Sequence, residues 1–228
     1  MRSSRWDAQG NVYLVTEESL TPEDVRAQVG DTDGILEVFR CGDDWLEIAI
    51  WNPDGSRAEM SGNGTRIAAR WLAERTGASD VAVRVGSREV RARMLDGTLV
   101  EQDMGDVEIG EPEEVEGIRF VPVDVGNPHA VVDGDPAELH RIGPLLEVHE
   151  RFPRRTNVQV ARRMADGKIE ARVWERGAGE TLSSGSSAVA VAAAFGARDT
   201  TIRFPGGELA VRFEGDRAFL TGPARRLA

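Results

Sequence analysis

The sequence predicts an α+β fold made of two halves of similar layout, each mostly short strands with one long helix. Three observations carry this. Strand-like runs are bounded by Gly, Asp and Pro; the pattern begins again after Gly110-Glu111-Pro112-Glu113-Glu114; and each half holds one helix-opening segment, Ser61-Gly62-Asn63-Gly64 or Ser184-Gly185-Ser186-Ser187.

In the first half, β-branched or alternating runs mark strands at Val12 to Val15, Ile35 to Phe39, Trp45 to Trp51, Val81 to Val85 and Val90 to Met94. Thr21-Pro22-Glu23-Asp24 reads as a helix start, with a capping hydroxyl, proline at the first helical position and acids in the first turn. After Ser61 the apolar residues Ile67, Ala68, Trp71 and Leu72 recur at helical spacing, and Gly77 is the expected stop. The second half gives strands near Val121 to Val125 and Ala130 to Val132, a helical segment from Pro136, then strands at Asn157 to Ala161 and Ile169 to Trp174. The second long helix follows Ser184, and strands near Thr201 to Phe204, Leu209 to Phe213 and Ala218 to Leu220 close the pattern. Residues 1–112 with about 218–228 form the expected N-terminal half, and 113–217 the C-terminal half.

With 228 residues, 40% of them hydrophobic and 29% charged, the chain can bury a sizeable core. Asp and Glu number 39 against 28 Lys and Arg, and the net charge of −11 disfavours nucleic acid and anionic membranes as partners. The opening residues lack the apolar core of a signal peptide and no apolar stretch approaches a membrane span, so a cytoplasmic protein is expected. Cys41 is the only cysteine, which excludes an intrachain disulfide; it reads as a small, partly buried residue near a strand end. His129, His140 and His149 lack metal-ligand spacing, and no metal is expected.

Each Ser-Gly segment would aim free N–H groups and the positive end of a helix dipole at a ligand, which suits a carboxylate or a carbanion-like transition state. Around them lie Trp51-Asn52-Pro53-Asp54-Gly55-Ser56, Gly126-Asn127-Pro128-His129 and Trp174-Glu175-Arg176-Gly177-Ala178-Gly179-Glu180-Thr181. With Gly10-Asn11, Leu145 to Pro153, Thr156-Asn157 and Phe204-Pro205-Gly206-Gly207, they resemble diaminopimelate epimerase, a cofactor-independent amino-acid epimerase, along essentially the whole chain.

The resemblance implies two pseudo-symmetric domains, each a curled, mostly antiparallel sheet around a central helix, with the ligand in a cleft between them. It implies inversion at the α-carbon of L,L-diaminopimelate to the meso form, with no cofactor. Asn11, Asn52, Asn127 and Asn157 match asparagines that hold the ligand's amino and carboxylate groups, and uncharged amides bind a zwitterion without becoming rival bases. Gly62 with Asn63, and Gly185 with Ser186, match the helix-start amide sites; Glu175 and Arg176 match a pair gripping the distal amino-acid end. In the family the positions of Ser61 and Ser184 are cysteines, one removing the α-proton and the other protonating the opposite face. Here both are serine. A thiol ionises with a reference pKa of about 8.5, an alcohol far less readily, and each unit costs about 1.4 kcal/mol. Serine therefore needs a helper, and His129 and Glu175 match the family's titratable residues near the two thiols.

Other departures are Val12, where an acid is usual, Ser187 for a common glycine, and a ligand-side loop only partly kept in Gly30 to Leu36. Three further readings stay open: an amino-acid-binding homologue that has lost the chemistry, an isomerase or dehydratase of the same fold using Glu175 or His129 directly as acid or base, and an epimerase in which Ser61 and Ser184 were introduced by substitution to trap substrate. The expected partner is a small-molecule amino acid, and a homodimer is left open.

Overall fold

The computed structural model describes residues 3–58 and 60–228. Two units emerge: residues up to Asp103 with Thr221–Ala228, and Met104–Leu220. The changeovers lie within strands β8 (Leu99–Asp106) and β18 (Arg217–Pro223).

The first unit runs β1 (Ser4–Ala8), β2 (Asn11–Thr16), α1 (Pro22–Gln28), β3 (Gly34–Cys41), β4 (Trp45–Trp51), β5 (Arg57–Ala58), α2 (Gly62–Thr76), β6 (Asp80–Val85) and β7 (Arg88–Met94), then enters β8. Thr21 closes a reciprocal capping box with Asp24 at the start of α1, as its sequence requires. Ser61 caps α2, and Gly77 ends it at φ 79°, a left-handed conformation that glycine adopts without a Cβ clash. Ile67, Ala68, Trp71 and Leu72 of α2 pack on Leu46, Ile48, Val81 and Val83, which point inward by strand alternation. A smaller cluster, Val25, Val29, Ile35, Ala49 and Trp51, seats α1.

The second unit opens with two short strands, β9 (Glu108–Ile109) and β10 (Glu113–Val115), and continues β11 (Ile118–Asp124), β12 (Pro128–Asp133), a 3-10 turn at Pro136–Glu138, α3 (Leu139–Glu147), β13 (Asn157–Arg163), β14 (Ile169–Glu175), β15 (Gly179–Thr181), α4 (Gly185–Ala194), β16 (Asp199–Phe204) and β17 (Gly207–Glu214). Every residue from Ser187 to Ala193 in α4 is buried. A helix apolar on all sides has to be enclosed. α4 shares its cluster with Ala171, Val173, Ile202, Leu209 and Leu220, whereas α3 seats Leu139, Ile142 and Leu146 against Phe120, Val158 and Val160.

The same pairing scheme appears in both units. β1–β2 is antiparallel, β2–β3 parallel around α1, β3–β4 and β4–β5 antiparallel, β4–β6 parallel around α2, and β6–β7 antiparallel. β11–β12, β12–β13, β13–β14, β14–β15, β14–β16 and β16–β17 repeat that series with α3 and α4 in the corresponding crossovers. A parallel pair needs a long crossover, which is why a helix recurs at each such step. The mixed α+β halves expected from sequence are thus present, with sheets more antiparallel than parallel. The last strand, β19 (Arg225–Arg226), pairs antiparallel with β1.

One burial expectation fails. Cys41 is exposed, because the final three residues of β3 extend beyond the core after an irregularity in register between Val38 and Arg40. His140 lies in α3 and His149 just past its end. Among the described residues no helix is long and apolar enough to cross a membrane, and no cluster of three or more His, Cys, Asp or Glu could hold a metal ion.

Candidate active site

In the first unit the candidate residues are arranged around the N-terminus of α2. Ser61 has extended backbone, φ −145°, which turns its side chain back onto the helix: Oγ accepts the Gly64 N–H at 3.0 Å. With that lone pair used, the hydroxyl proton can reach the Tyr13 oxygen 3.3 Å away. The space is tight, since a Cβ on Gly64 would lie 3.2 Å from Leu36 Cδ2 and 3.3 Å from Ser61 Oγ. Asn63 is buried and its Oδ1 accepts from Arg66 Nη2 at 2.8 Å. Arg66 is wholly buried; its Nε donates to the Pro223 carbonyl, and burial pushes its pKa down to about 10, opposed by nearby Asp7. The guanidinium remains protonated at neutral pH and braces the helix start.

Asn11 follows a two-residue turn in which Gln9 and Gly10 both have positive φ, 60° and 82°, the geometry of a tight hairpin. The Gly10 N–H donates to Asp7 Oδ1 at 2.7 Å. This sets Asn11 at the tip of the β1–β2 pair, opposite Ala8. Asn52 sits in the loop after β4, where its Nδ2 donates to Ser56 Oγ at 3.0 Å.

In the second unit Ser184 holds the matching position on α4, with φ −145°, but its side chain makes no capping hydrogen bond. Ser184 and Gly185 are buried, and Ser186 is half-buried. His129 lies inside the unit, 1% exposed. Its Nδ1 accepts from Gln159 Nε2 at 3.0 Å, which leaves Nε2–H to donate to Asn127 Oδ1 at 3.0 Å; the second Gln159 proton goes to Ser187 Oγ at 2.9 Å. Desolvation pushes the imidazole down to about 3, the Gln159 bond opposing it and the Arg176 charge adding to it. The ring is neutral across the physiological range. Its geometry orients the Asn127 amide, and a proton acceptor titrating near 6.5, the reference value for histidine, is not what this burial supplies.

Asn157 is used on both sides of its amide: Nδ2 donates to the Pro128 carbonyl and Oδ1 accepts the Arg176 backbone N–H, each at 3.0 Å. It ties the start of β12 to the turn that carries Glu175 and Arg176. Glu175 accepts from the Thr181 hydroxyl, and the exposed Arg176 guanidinium donates to the Arg154 carbonyl at 3.3 Å.

The structure thus groups Ser61 with Asn63, Asn127 with His129, and Asn157 with Arg176. The hydrogen bonds of the His129 ring run to Asn127 and Gln159. Several contributors escaped the sequence reading. Glu147 is buried, and its carboxylate accepts from Trp174 Nε1 at 2.7 Å, the Gly177 N–H at 2.8 Å and Arg155 Nη1 at 3.4 Å, clamping the Glu175–Arg176 turn. Glu37 does the same for Trp51, whose Nε1 donates to Oε2 at 2.7 Å. Trp51 and Trp174 each stand ten residues ahead of the capping serine, a spacing that could have revealed the repeat. Tyr13 and Gln159 were missed because both look like ordinary strand residues.

Known proteins share this fold and part of this sequence. The family model for diaminopimelate epimerase matches residues 121–227. A diaminopimelate epimerase of Magnetococcus marinus is 37% identical, with 93% of this chain and 88% of the relative covered. One from Pelotomaculum thermopropionicum is 32% identical, covering 96% and 94%. Among solved structures, a predicted epimerase of Pseudomonas aeruginosa superposes with TM-score 0.77 at 17% identity over 99% of this chain and 96% of its own. A hydroxyproline epimerase from Agrobacterium vitis, with trans-4-hydroxy-L-proline bound, gives 0.71 at 16% over 99% and 89%. The two structures share the fold, and the identity to the sequence relatives over nearly their whole length shows that the chain belongs to the diaminopimelate epimerase family.

Proposed function

We propose that this chain inverts the α-carbon of L,L-diaminopimelate to the meso form without a cofactor, as a small-molecule enzyme of the cytoplasm. The two units act as the family's two domains. The observation that carries the reading is the duplication: a serine at the N-cap position of a long helix in each unit, and a positive-φ Gly-Asn turn at Asn11 in one and Asn127 in the other. An inversion needs a proton removed from one face and returned to the other, which calls for two groups of the same kind. Ser61 and Ser184 fill those roles in this reading.

The helix-start amides of Gly62, Asn63, Gly185 and Ser186 receive the α-carboxylate and the charge that develops as the C–H bond breaks. Asn11, Asn52, Asn127 and Asn157 serve the zwitterion, with His129 holding the Asn127 amide. Glu175 and Arg176 bind the distal ammonium and carboxylate by charge-assisted hydrogen bonds. A turn fixed by both Glu147 and Asn157 supports that assignment, because a preorganised charged pair loses little freedom on binding.

The test is α-deuterium uptake from L,L- and meso-diaminopimelate in deuterated water, beside calorimetric binding of both isomers and of lysine. Uptake together with binding that weakens in Arg176→Ala supports the reading. Binding without uptake favours an amino-acid-binding homologue, for which the presence of serine at both thiol positions already argues. Lysine binding as tightly as diaminopimelate removes the substrate assignment.

A further inference from the structure

The repeat lets each position in one unit be compared with its counterpart in the other. Tyr13 faces Gly34 across the parallel β2–β3 pair, and His129 faces Asn157 across β12–β13; both stand two residues after the asparagine that follows a positive-φ glycine. Tyr13 is therefore the counterpart of His129. The residues that hold His129 have counterparts too: Gln159 corresponds to Leu36 and Ser187 to Gly64. Where the second unit has an amide and a hydroxyl behind its helix start, the first has a methyl group and a bare backbone. The Tyr13 ring is buried among Trp6, Val15, Leu36 and Ile67, and its hydroxyl lies 3.3 Å from Ser61 Oγ.

We propose that Tyr13 is a positioning residue that acts through Ser61, taking the serine proton as Ser61 takes the substrate's α-proton. The inference rests on the epimerase reading above. As the α C–H bond breaks, its electron pair stays on carbon and its proton goes to Ser61 Oγ. Tyr13 enters the step as the phenolate, its own proton having passed to water beforehand; the serine's proton then passes to the phenolate oxygen, and return of the proton reverses each step. No other reactant is needed. A phenol is a far stronger acid than an alcohol, so of the two hydroxyls that of Tyr13 has the more accessible conjugate base. Ser184, with no capping bond and with the His129 ring directed elsewhere, has no equivalent relay in its own unit, so the two proton transfers differ in their machinery.

The test exploits the difference between serine and cysteine. Tyr13→Phe removes only the hydroxyl, and the expected result in the wild-type background is a loss of about a hundredfold in kcat for α-deuterium exchange with little change in KM. In the Ser61→Cys background, where the thiolate forms unaided, the same substitution should change kcat by less than about threefold. Equal losses in both backgrounds, or no loss in either, overturn the proposal, since a purely structural tyrosine would act alike in both. Tyr13 is the only tyrosine in the chain, so biosynthetic replacement by fluorotyrosine acidifies this one phenol without a mutation. That protein should exchange faster than wild type at neutral pH, and an unchanged rate overturns the relay even where Tyr13→Phe folds poorly. Absence of any exchange by the wild-type protein overturns both the epimerase reading and the relay; exchange indifferent to the Tyr13 hydroxyl overturns the relay alone.

Discussion

Replacing Glu147 should separate the stability of the second unit from the affinity for the substrate proposed above to bind at its Glu175–Arg176 turn. All three partners of this carboxylate are donors, so Glu147→Ala leaves the Trp174 indole N–H and the Gly177 N–H with no acceptor. Hydrogen bonds to a charged group contribute about 1.5–3 kcal/mol each, and the Arg155 pair, whose arginine is exposed, adds close to nothing. Taking the Trp174 bond at about 2 and the half-buried Gly177 bond at about 1 gives a loss of about 3 kcal/mol. In a chain of this size that lowers Tm by about 6–12 °C. Glu147→Gln is not a neutral control: whichever oxygen becomes NH2 faces a donor, and about half the loss should remain. Calorimetric melting of wild type, Gln and Ala variants should give that order. Isothermal titration with diaminopimelate should show affinity falling about tenfold in the alanine variant, about 1.4 kcal/mol, because the freed turn carries Glu175 and Arg176. A Tm within 2 °C of wild type would refute the clamp, and an unchanged affinity beside a lowered Tm would refute its coupling to binding.

Three further outcomes follow from the geometry. Ser61→Cys with Ser184→Cys should raise epimerisation strongly, read by circular dichroism of the stereoisomers, whereas either single change should promote exchange at one face more than it completes inversion. His129 is held below its unfolded pKa, so its contribution is complete above about pH 6.5 and is lost as pH falls towards about 3; between pH 6.5 and 5 that amounts to about 2 kcal/mol. Denaturant titrations should show this slope in wild type and lose it in His129→Asn. Gly34→Ala should destabilise the first unit severely, because the added Cβ would lie 2.3 Å from the Trp51 carbonyl and 2.8 Å from the Tyr13 ring, and soluble expression with a wild-type melt would contradict it.

Local signals made much of the fold legible. The Thr21 box, the Ser61 cap and the Gly77 stop are written in three or four residues each, and strands such as Val81 to Val85 announce themselves by alternation. β8 did not: Leu99 to Asp106 is half polar, and its place depends on Gln102 finding the Thr65 hydroxyl at 2.8 Å in the interior, a contact between residues far apart in sequence. The short β5, β9, β10 and β15 are fixed by pairing and carry no pattern of their own. At the candidate site, motif order placed Ser61 and Ser184 at helix starts, where the structure has them. It could not reveal that His129 is cut off from solvent, since burial is a property of the surroundings and not of the Gly-Asn-Pro-His string. Nor could it reveal that the Asn157 amide is engaged by backbone on both sides.

The pairing of β19 with β1 joins residues at opposite ends of the sequence: Trp6 faces Arg226, and Arg225 Nη2 reaches Asp7 Oδ2 at 3.2 Å. During synthesis, all of Met104–Leu220 leaves the ribosome before the segment that finishes the first unit. The second unit can therefore form as a continuous stretch while the first, though begun earlier, waits for its last strand. Removing Thr221–Ala228 should accordingly spare the neighbouring unit in sequence and cripple the one that was translated first.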